Sequence, residues 1–98
     1  MLDYVMRFNQ AVEMERFAIM AQAVGVARGS TEASATAFVD WLTALKQQVG
    51  IPAKLGGVKV SKAHLPRLLD VAVDDICHQT NPRPCTRADF ERLFTEAM

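Results

Sequence analysis

Apolar residues recur along this chain at the three- and four-residue spacing of α-helices, and no segment sustains the two-residue alternation of a strand. Helix start and stop signals divide this pattern into five predicted helices. They are expected at 1–8, at roughly 11–23, from the caps Ser30 and Thr31 to the break at Gly50, from Ser61 to near Thr80, and at 87–97. The connectors are short, and 51–60 is expected to add no more than a turn or a brief extended piece. The sequence therefore predicts an all-α fold, a single helical bundle of about five helices around one core.

The third predicted helix carries the clearest apolar stripe. Phe38, Leu42, Leu45 and Val49 form that stripe. Lys46 is expected to lie off it. Trp41 flanks the stripe, and a packing role is favoured over stacking on a substrate, because large aromatic residues at helical spacing ordinarily pack.

The stretch DICHQTNPRPCTRADF at 75–90 joins the last two predicted helices. Pro82 has no amide proton and disfavours helical geometry at the residue before it, so the fourth helix should end near Thr80 with Ile76 on its buried face. Thr86 and Asp89 have the spacing of a capping box at the start of the fifth helix. Cys85 and Phe90 are then placed to pack as a hydrophobic staple.

Composition limits the classes of partner. The chain has 98 residues, half of them hydrophobic, which suits one domain with a modest core. Eleven basic and eleven acidic residues are interspersed, so no positive surface for nucleic acid or membrane is expected. No apolar run reaches membrane-spanning length, no signal peptide is recognised, and the two cysteines suit reduced thiols. These features predict a cytoplasmic protein.

Three soft or borderline metal ligands occur close together, at Cys77, His78 and Cys85. They lack the paired CxxC spacing of closed zinc sites, so a buried thiol and a helix-end histidine are favoured over a metal site. His64 and His78 lie at opposite ends of one predicted helical segment, about 20 Å apart at the usual helical rise, and cannot share an ion. We therefore assign no metal ligand.

The remaining polar candidates also have structural explanations. Asp74 and Asp75 point about 100° apart on a helix, which makes a poor acid/base pair, and contact with solvent or with an arginine is favoured. Asn81 and Arg83 are more interesting, although capping of the turn by Asn81 and pairing of Arg83 with a helix end or a carboxylate are favoured over substrate contact. No catalytic or coenzyme-binding residue is assigned.

Five short motifs in a fixed order carry a family resemblance. They are LDYVMRFN at 2–9, GIPAKL at 50–55, GV at 57–58, LPRLLDVAVDD at 65–75 and TNPRPCTRADF at 80–90. Together they cover nearly the whole chain, which resembles the C-terminal helical domain of the iron-containing alcohol dehydrogenases. The family signature is matched at Asn81, Pro82, Arg83, Thr86 and Asp89, whereas Asp3 stands where the family usually has proline.

This resemblance implies an enzyme that passes hydride between NAD(P) and an alcohol or aldehyde, with Fe(II) or zinc polarising the substrate oxygen. In that family an N-terminal α/β domain holds the nucleotide, and one Asp and three His ahead of the segment resembling 2–9 hold the metal. His64 and His78 do not correspond to those ligands. Residues 1–98 are thus expected to be the C-terminal helical domain, incomplete at its N-terminal side, with no cofactor of its own and no activity alone. The resemblance places Asn81, Pro82, Arg83 and Cys85 in a loop beside the active-site cleft.

Two functions from other classes stay open. The chain could be a stand-alone helical interaction module, in which apolar surface left bare by a missing α/β domain drives self-association. It could instead be a small metal-binding regulator that uses Cys77, His78 and Cys85.

Overall fold

A computed structural model describes all residues, 1–98, and confirms the all-α prediction: it contains five α-helices and no strand. The helices are α1 (Leu2–Gln10), α2 (Met14–Ala23), α3 (Thr31–Gln48), α4 (Leu65–Asp74) and α5 (Arg87–Ala97). Three short 3₁₀ helices lie at Leu55–Val58, Lys62–His64 and Ile76–Thr80. No helix is both long and apolar enough to cross a bilayer. The chain forms two compact units, one of residues 2–51 and one made mainly of residues 52–98.

The first unit is built around α2 and α3. Its buried residues are Phe17, Ala21, Ala35, Phe38 and Val39. The rings of Phe17 and Phe38 meet edge to face with centroids 5.8 Å apart, a favourable aromatic geometry. Trp41 stacks on Phe38 at 6.0 Å, which confirms the predicted packing role of its ring.

Predicted start and stop signals mark the ends of these helices. The Ser30 hydroxyl accepts a hydrogen bond from the Ala33 amide at 3.1 Å and so satisfies one of the unpaired amides of the first turn of α3. Gly25 and Gly50 follow α2 and α3 with φ of 78° and 79°, a left-handed conformation that glycine adopts without steric cost. Both breaks were expected from the sequence.

The buried face of α3 differs from the predicted stripe. Val49 is 63% exposed, whereas Lys46 is buried. The expectation for Lys46 was therefore wrong, because its ammonium group finds a carboxylate, Asp3 of α1, at 2.5 Å. A buried charge needs such a partner, and a single-helix pattern does not reveal a partner 43 residues away.

The second unit packs α4 against α5, with Leu69, Leu93 and Ala97 buried. Helix α4 ends at Asp74 and not near Thr80, because the Asp75 carboxylate accepts the Cys77 amide at 2.8 Å and starts a 3₁₀ helix. Ile76, predicted to be buried, is 73% exposed as a result. The connector 51–60 contains the 3₁₀ helix Leu55–Val58, which is about one turn, as expected.

Candidate functional site

The loop singled out from the sequence, Asn81–Cys85, lies between a 3₁₀ helix and α5. Three hydrogen bonds hold the turns that precede it. The Cys77 amide donates to Asp75, the Thr80 hydroxyl donates to the Cys77 carbonyl at 3.1 Å, and the Asn81 amide donates to the His78 carbonyl at 3.1 Å. The loop therefore begins from a fixed backbone.

Inside the loop, the Asn81 side chain bridges the first proline. Its amide nitrogen donates to the Arg83 carbonyl at 2.5 Å, which confirms that Asn81 caps the turn. Asn81, Arg83 and Cys85 are half-buried, and Pro82 and Pro84 are exposed. Since each proline also fixes its own φ, the loop has little conformational freedom.

The far end of the loop is fixed by the predicted capping box. The Thr86 hydroxyl accepts from the Asp89 amide at 3.2 Å, and the Thr86 amide donates to the Asp89 carboxylate at 3.0 Å. The Thr86 hydroxyl and the Thr86 amide both donate hydrogen bonds to the Asp89 carboxylate, and these bonds hold the pKa of Asp89 below its ordinary value. The charges of Arg92 and Arg83 lower that pKa further. The ionised form of Asp89 is thus favoured at the first turn of α5, where the helix dipole also favours a negative charge.

His78 connects this segment to both neighbouring helices. Its Nε2 lies 3.1 Å from the Val73 carbonyl near the end of α4, and its ring meets the Phe90 ring edge to face at 5.3 Å. The interpretation of His78 as a helix-end histidine is confirmed. His64 has a different structural role: its Nδ1 accepts the Ser61 amide at 3.0 Å in the cap of the 3₁₀ helix Lys62–His64.

The two thiols differ in exposure. Cys77 is exposed, which corrects the expectation of a buried thiol, because α4 ends before it and the 3₁₀ helix turns it outward. A hydrogen bond with the Asp75 carboxylate and the charge of that group raise the pKa of Cys77. Burial, followed by the Asp89 charge, raises the pKa of Cys85, and the Arg83 and Arg92 charges offset part of that rise. Both groups are therefore less thiolate-like than an ordinary cysteine.

The two neighbouring carboxylates at the end of α4 do not act as a pair. Asp75 is the cap described above, and the hydrogen bond from the Cys77 amide lowers the pKa of its carboxyl. Asp74 and Asp75 are both exposed, in agreement with the expected contact with solvent or with an arginine, and Asp75 also accepts that backbone amide. The arginine pairing in this region instead joins Arg87 of α5 to Asp70 of α4 at 2.8 Å.

The residues of this chain do not fit a metal ion. No three His, Cys, Asp or Glu side chains come together as a ligand group. The nearest candidates are already used: His78 contacts the Val73 carbonyl, His64 caps a helix, and Cys77 holds its proton more tightly than usual. A metal site needs ligand atoms that converge on one point, and these side chains do not converge.

An open depression of about 690 Å³ lies along α3 in the first unit. Trp41, Arg28 and Asp40 are among its lining residues. Asp40 is paired with Arg7 of α1 at 2.9 Å. None of the residues predicted from the sequence as part of a cleft lies there.

Among the ion pairs that were not predicted from the sequence, the one between Asp3 and Lys46 in the first unit is buried. A signal for it exists within α3, because Lys46 lies seven residues after the buried Val39 and four after the half-buried Leu42. That spacing places Lys46 on the buried face, where a charge is rare without a partner.

Comparisons with known proteins agree with the resemblance. A model of the C-terminal part of the Fe-containing alcohol dehydrogenase family matches residues 1–98. Lactaldehyde reductase of Escherichia coli (strain K12) is 37% identical over 99 residues, which are 99% of this chain and 26% of that protein. NAD-dependent methanol dehydrogenase of Bacillus methanolicus is 30% identical with the same coverage. A solved structure of 1,3-propanediol oxidoreductase superposes with a TM-score of 0.88 at 26% identity, over 99% of this chain and 26% of that one. The chain thus spans about a quarter of the length of these relatives.

Proposed function

The chain belongs to the Fe-containing alcohol dehydrogenase family, to its C-terminal domain, and from that membership we propose that it is the helical part of a metal-dependent, NAD(P)-linked alcohol or aldehyde oxidoreductase. The observation that carries this proposal is the match of the family model to every residue of the chain. Relatives named as a lactaldehyde reductase and a methanol dehydrogenase support a small alcohol or aldehyde as substrate. The whole-length match favours this function over a stand-alone interaction module or a metal-binding regulator.

In this proposal the chain works with a partner domain. The coenzyme is held by an N-terminal α/β domain, and the metal, Fe(II) or zinc, is held by one Asp and three His ahead of the segment that corresponds to residues 2–9. Both sites lie in the three quarters of the relatives that this chain does not match, and residues 1–98 alone do not turn over an alcohol. The coverage of about a quarter of each relative supports this division. We propose that the complete enzyme works in the cytoplasm, in keeping with its two free thiols.

The role of this chain is then to supply one wall of the cleft. Asn81, Pro82, Arg83 and Cys85 form that wall, and its rigidity supports the proposal. The bond from Asn81 to the Arg83 carbonyl fixes the loop at one end, and the capping box of Thr86 and Asp89 fixes it at the other. A loop held at both ends keeps its shape when a substrate enters, so little ordering free energy is lost on binding.

The test joins this chain to a known upstream portion. Residues 1–98 replace the matching C-terminal segment of the Escherichia coli lactaldehyde reductase, and NAD(P)-linked alcohol oxidation is measured after loading with Fe(II) or zinc. We expect activity in the hybrid and none in residues 1–98 alone or in the upstream portion alone. Turnover by the purified 98-residue chain would contradict the division of labour. A hybrid that folds by circular dichroism and binds metal, yet stays inactive, would contradict the proposed function.

A further inference from the structure

The first unit contains a buried ion pair between α1 and α3. Lys46 Nζ lies 2.5 Å from Asp3 Oδ1, and the two side chains are only 8% and 12% exposed. Thr43 lies beside them, with its hydroxyl 3.5 Å from the other Asp3 oxygen and 3.0 Å from the Val39 carbonyl. Three polar side chains from two helices thus meet where little water reaches.

The same two helices share a second ion pair that serves as an internal comparison. Arg7 and Asp40 are 2.9 Å apart, but their side chains are 52% and 64% exposed. An exposed ion pair contributes little to the stability of the fold, because water and salt screen its charges and because two long side chains lose conformational freedom when they pair. A buried pair responds differently: removing one partner leaves an uncompensated charge in a low-dielectric site, at a much larger cost.

Polar residues make up most of the buried positions of helix α1. Its buried residues are Asp3, Phe8 and Asn9, so only one of the three is apolar. The half-buried Met6 adds a contact with the core of the first unit. The position of α1 therefore depends more on a polar contact than that of α2, which buries Phe17 and Ala21.

We propose that the Asp3–Lys46 pair is a positioning contact that fixes α1 on α3. It also has a consequence that rests on the proposed function: in a complete enzyme the preceding domain joins this one through α1, and the pair sets the direction in which the chain enters. Lys46 and Asp3 touch no substrate in this role. They act through the orientation of α1.

Amide hydrogen exchange on the 98-residue chain at neutral pH tests this contact. Lys46→Met keeps the length of the side chain but removes its charge, and we expect exchange within α1 to become roughly tenfold faster or more, with α2 changed less than about twofold. The matched control is Arg7→Gln, which breaks the exposed pair between the same helices and should change α1 exchange by less than about twofold. A Lys46→Met variant whose α1 exchanges like the control would overturn the proposal.

A charge exchange covers the case in which Lys46→Met fails to fold. Asp3→Lys combined with Lys46→Asp restores an ion pair of opposite polarity. Because Asp3 lies in the first turn of α1 and Lys46 in the last turn of α3, the exchanged charges oppose both helix dipoles, so we expect recovery of roughly half or more of the lost protection on a logarithmic scale. The proposal is overturned if the amides of α1 in the double variant exchange as fast as they do when Asp3→Lys or Lys46→Asp is made alone. It is also overturned if the double variant does not fold, because an ion pair is then not what holds α1. These exchange measurements need no coenzyme or turnover. The positioning proposal can therefore fail while the proposed function stands, and the proposed function can fail while the positioning proposal stands.

Discussion

Thr86 and Asp89 exchange hydrogen bonds across the first turn of α5: the Thr86 hydroxyl accepts the Asp89 amide, and the Asp89 carboxylate accepts the Thr86 amide. Two amides that the helix leaves unpaired are satisfied in this way. Replacing Thr86 with alanine removes one acceptor and should lower the free energy of unfolding by about 1 kcal/mol. Urea unfolding followed by circular dichroism measures the change.

The same helix offers a control for this cap. Thr95 is exposed in the last turn of α5, and Thr95→Ala should change the unfolding free energy by less than about 0.5 kcal/mol. If both variants lose the same unfolding free energy, the capping box adds nothing beyond the difference in helix propensity between threonine and alanine.

A second prediction concerns the reactivity of Cys77. The Asp75 carboxylate raises the pKa of this exposed thiol, so less of it is thiolate at neutral pH. Asp75→Asn keeps an oxygen that can accept the Cys77 amide but removes the negative charge. We expect alkylation of Cys77 by iodoacetamide to become severalfold faster, because more of the thiol is then thiolate at neutral pH.

Peptide mass spectrometry separates Cys77 from Cys85 in this experiment. The neighbouring change Asp74→Asn is the matched control, because Asp74 makes no bond to the 3₁₀ helix, and it should leave the rate near that of the wild type. If Asp74→Asn accelerates alkylation as much as Asp75→Asn, the general loss of negative charge explains the effect.

Acid should weaken the first unit through Asp3. Burial raises the pKa of Asp3, but the hydrogen bond and charge of Lys46, with a smaller contribution from the N-terminal amine, lower it by more, so it lies below its unfolded value. Thr43 of α3 also faces this carboxylate. The pair therefore stabilises the fold above about pH 4, and that stabilisation is lost as the pH falls through the folded-state pKa.

The measurement compares the wild type with Asp3→Asn across this range. Unfolding free energies from about pH 6 down to about pH 2.5 should fall more steeply in the wild type, because only its residue 3 takes up a proton on unfolding. Parallel curves for the two proteins would show that other carboxylates account for the acid loss.

Much of the fold and of the loop could be predicted because the signals are local. The bounds of α5, the cap at Ser30, and the box of Thr86 and Asp89 each depend on residues within four positions of one another. The turn at Asn81 is local as well, since its side chain bonds a carbonyl two residues away. The family was predicted from five short motifs, and the comparisons confirmed it.

The misses have two physical causes. The end of α4 was placed too late because Asp75 was treated as a helical surface residue, although an Asp can cap a new turn and compete with the helix. Lys46 was predicted to lie off the buried stripe because a lysine is rarely buried, although its spacing from Val39 and Leu42 places it on the buried face. The partner that permits its burial, Asp3, is 43 residues away and is not revealed by local rules. Local rules therefore fail where a side chain replaces a backbone partner or where two helices share a charge.

The glycine that ends α2 allows a last prediction, in which the energetic effect of backbone conformation is separated from that of side-chain packing. Gly25 has a φ of 78°, and a Cβ built on it meets no atom within 4 Å, so Gly25→Ala adds no clash with another residue. An alanine in this left-handed conformation should still cost about 1 kcal/mol of unfolding free energy. Gly29 is the matched control, because its Cβ would also meet nothing but its φ lies outside the left-handed region, so Gly29→Ala should be neutral or slightly stabilising. If urea unfolding gives equal effects for the two changes, the end of α2 does not depend on the left-handed turn at Gly25.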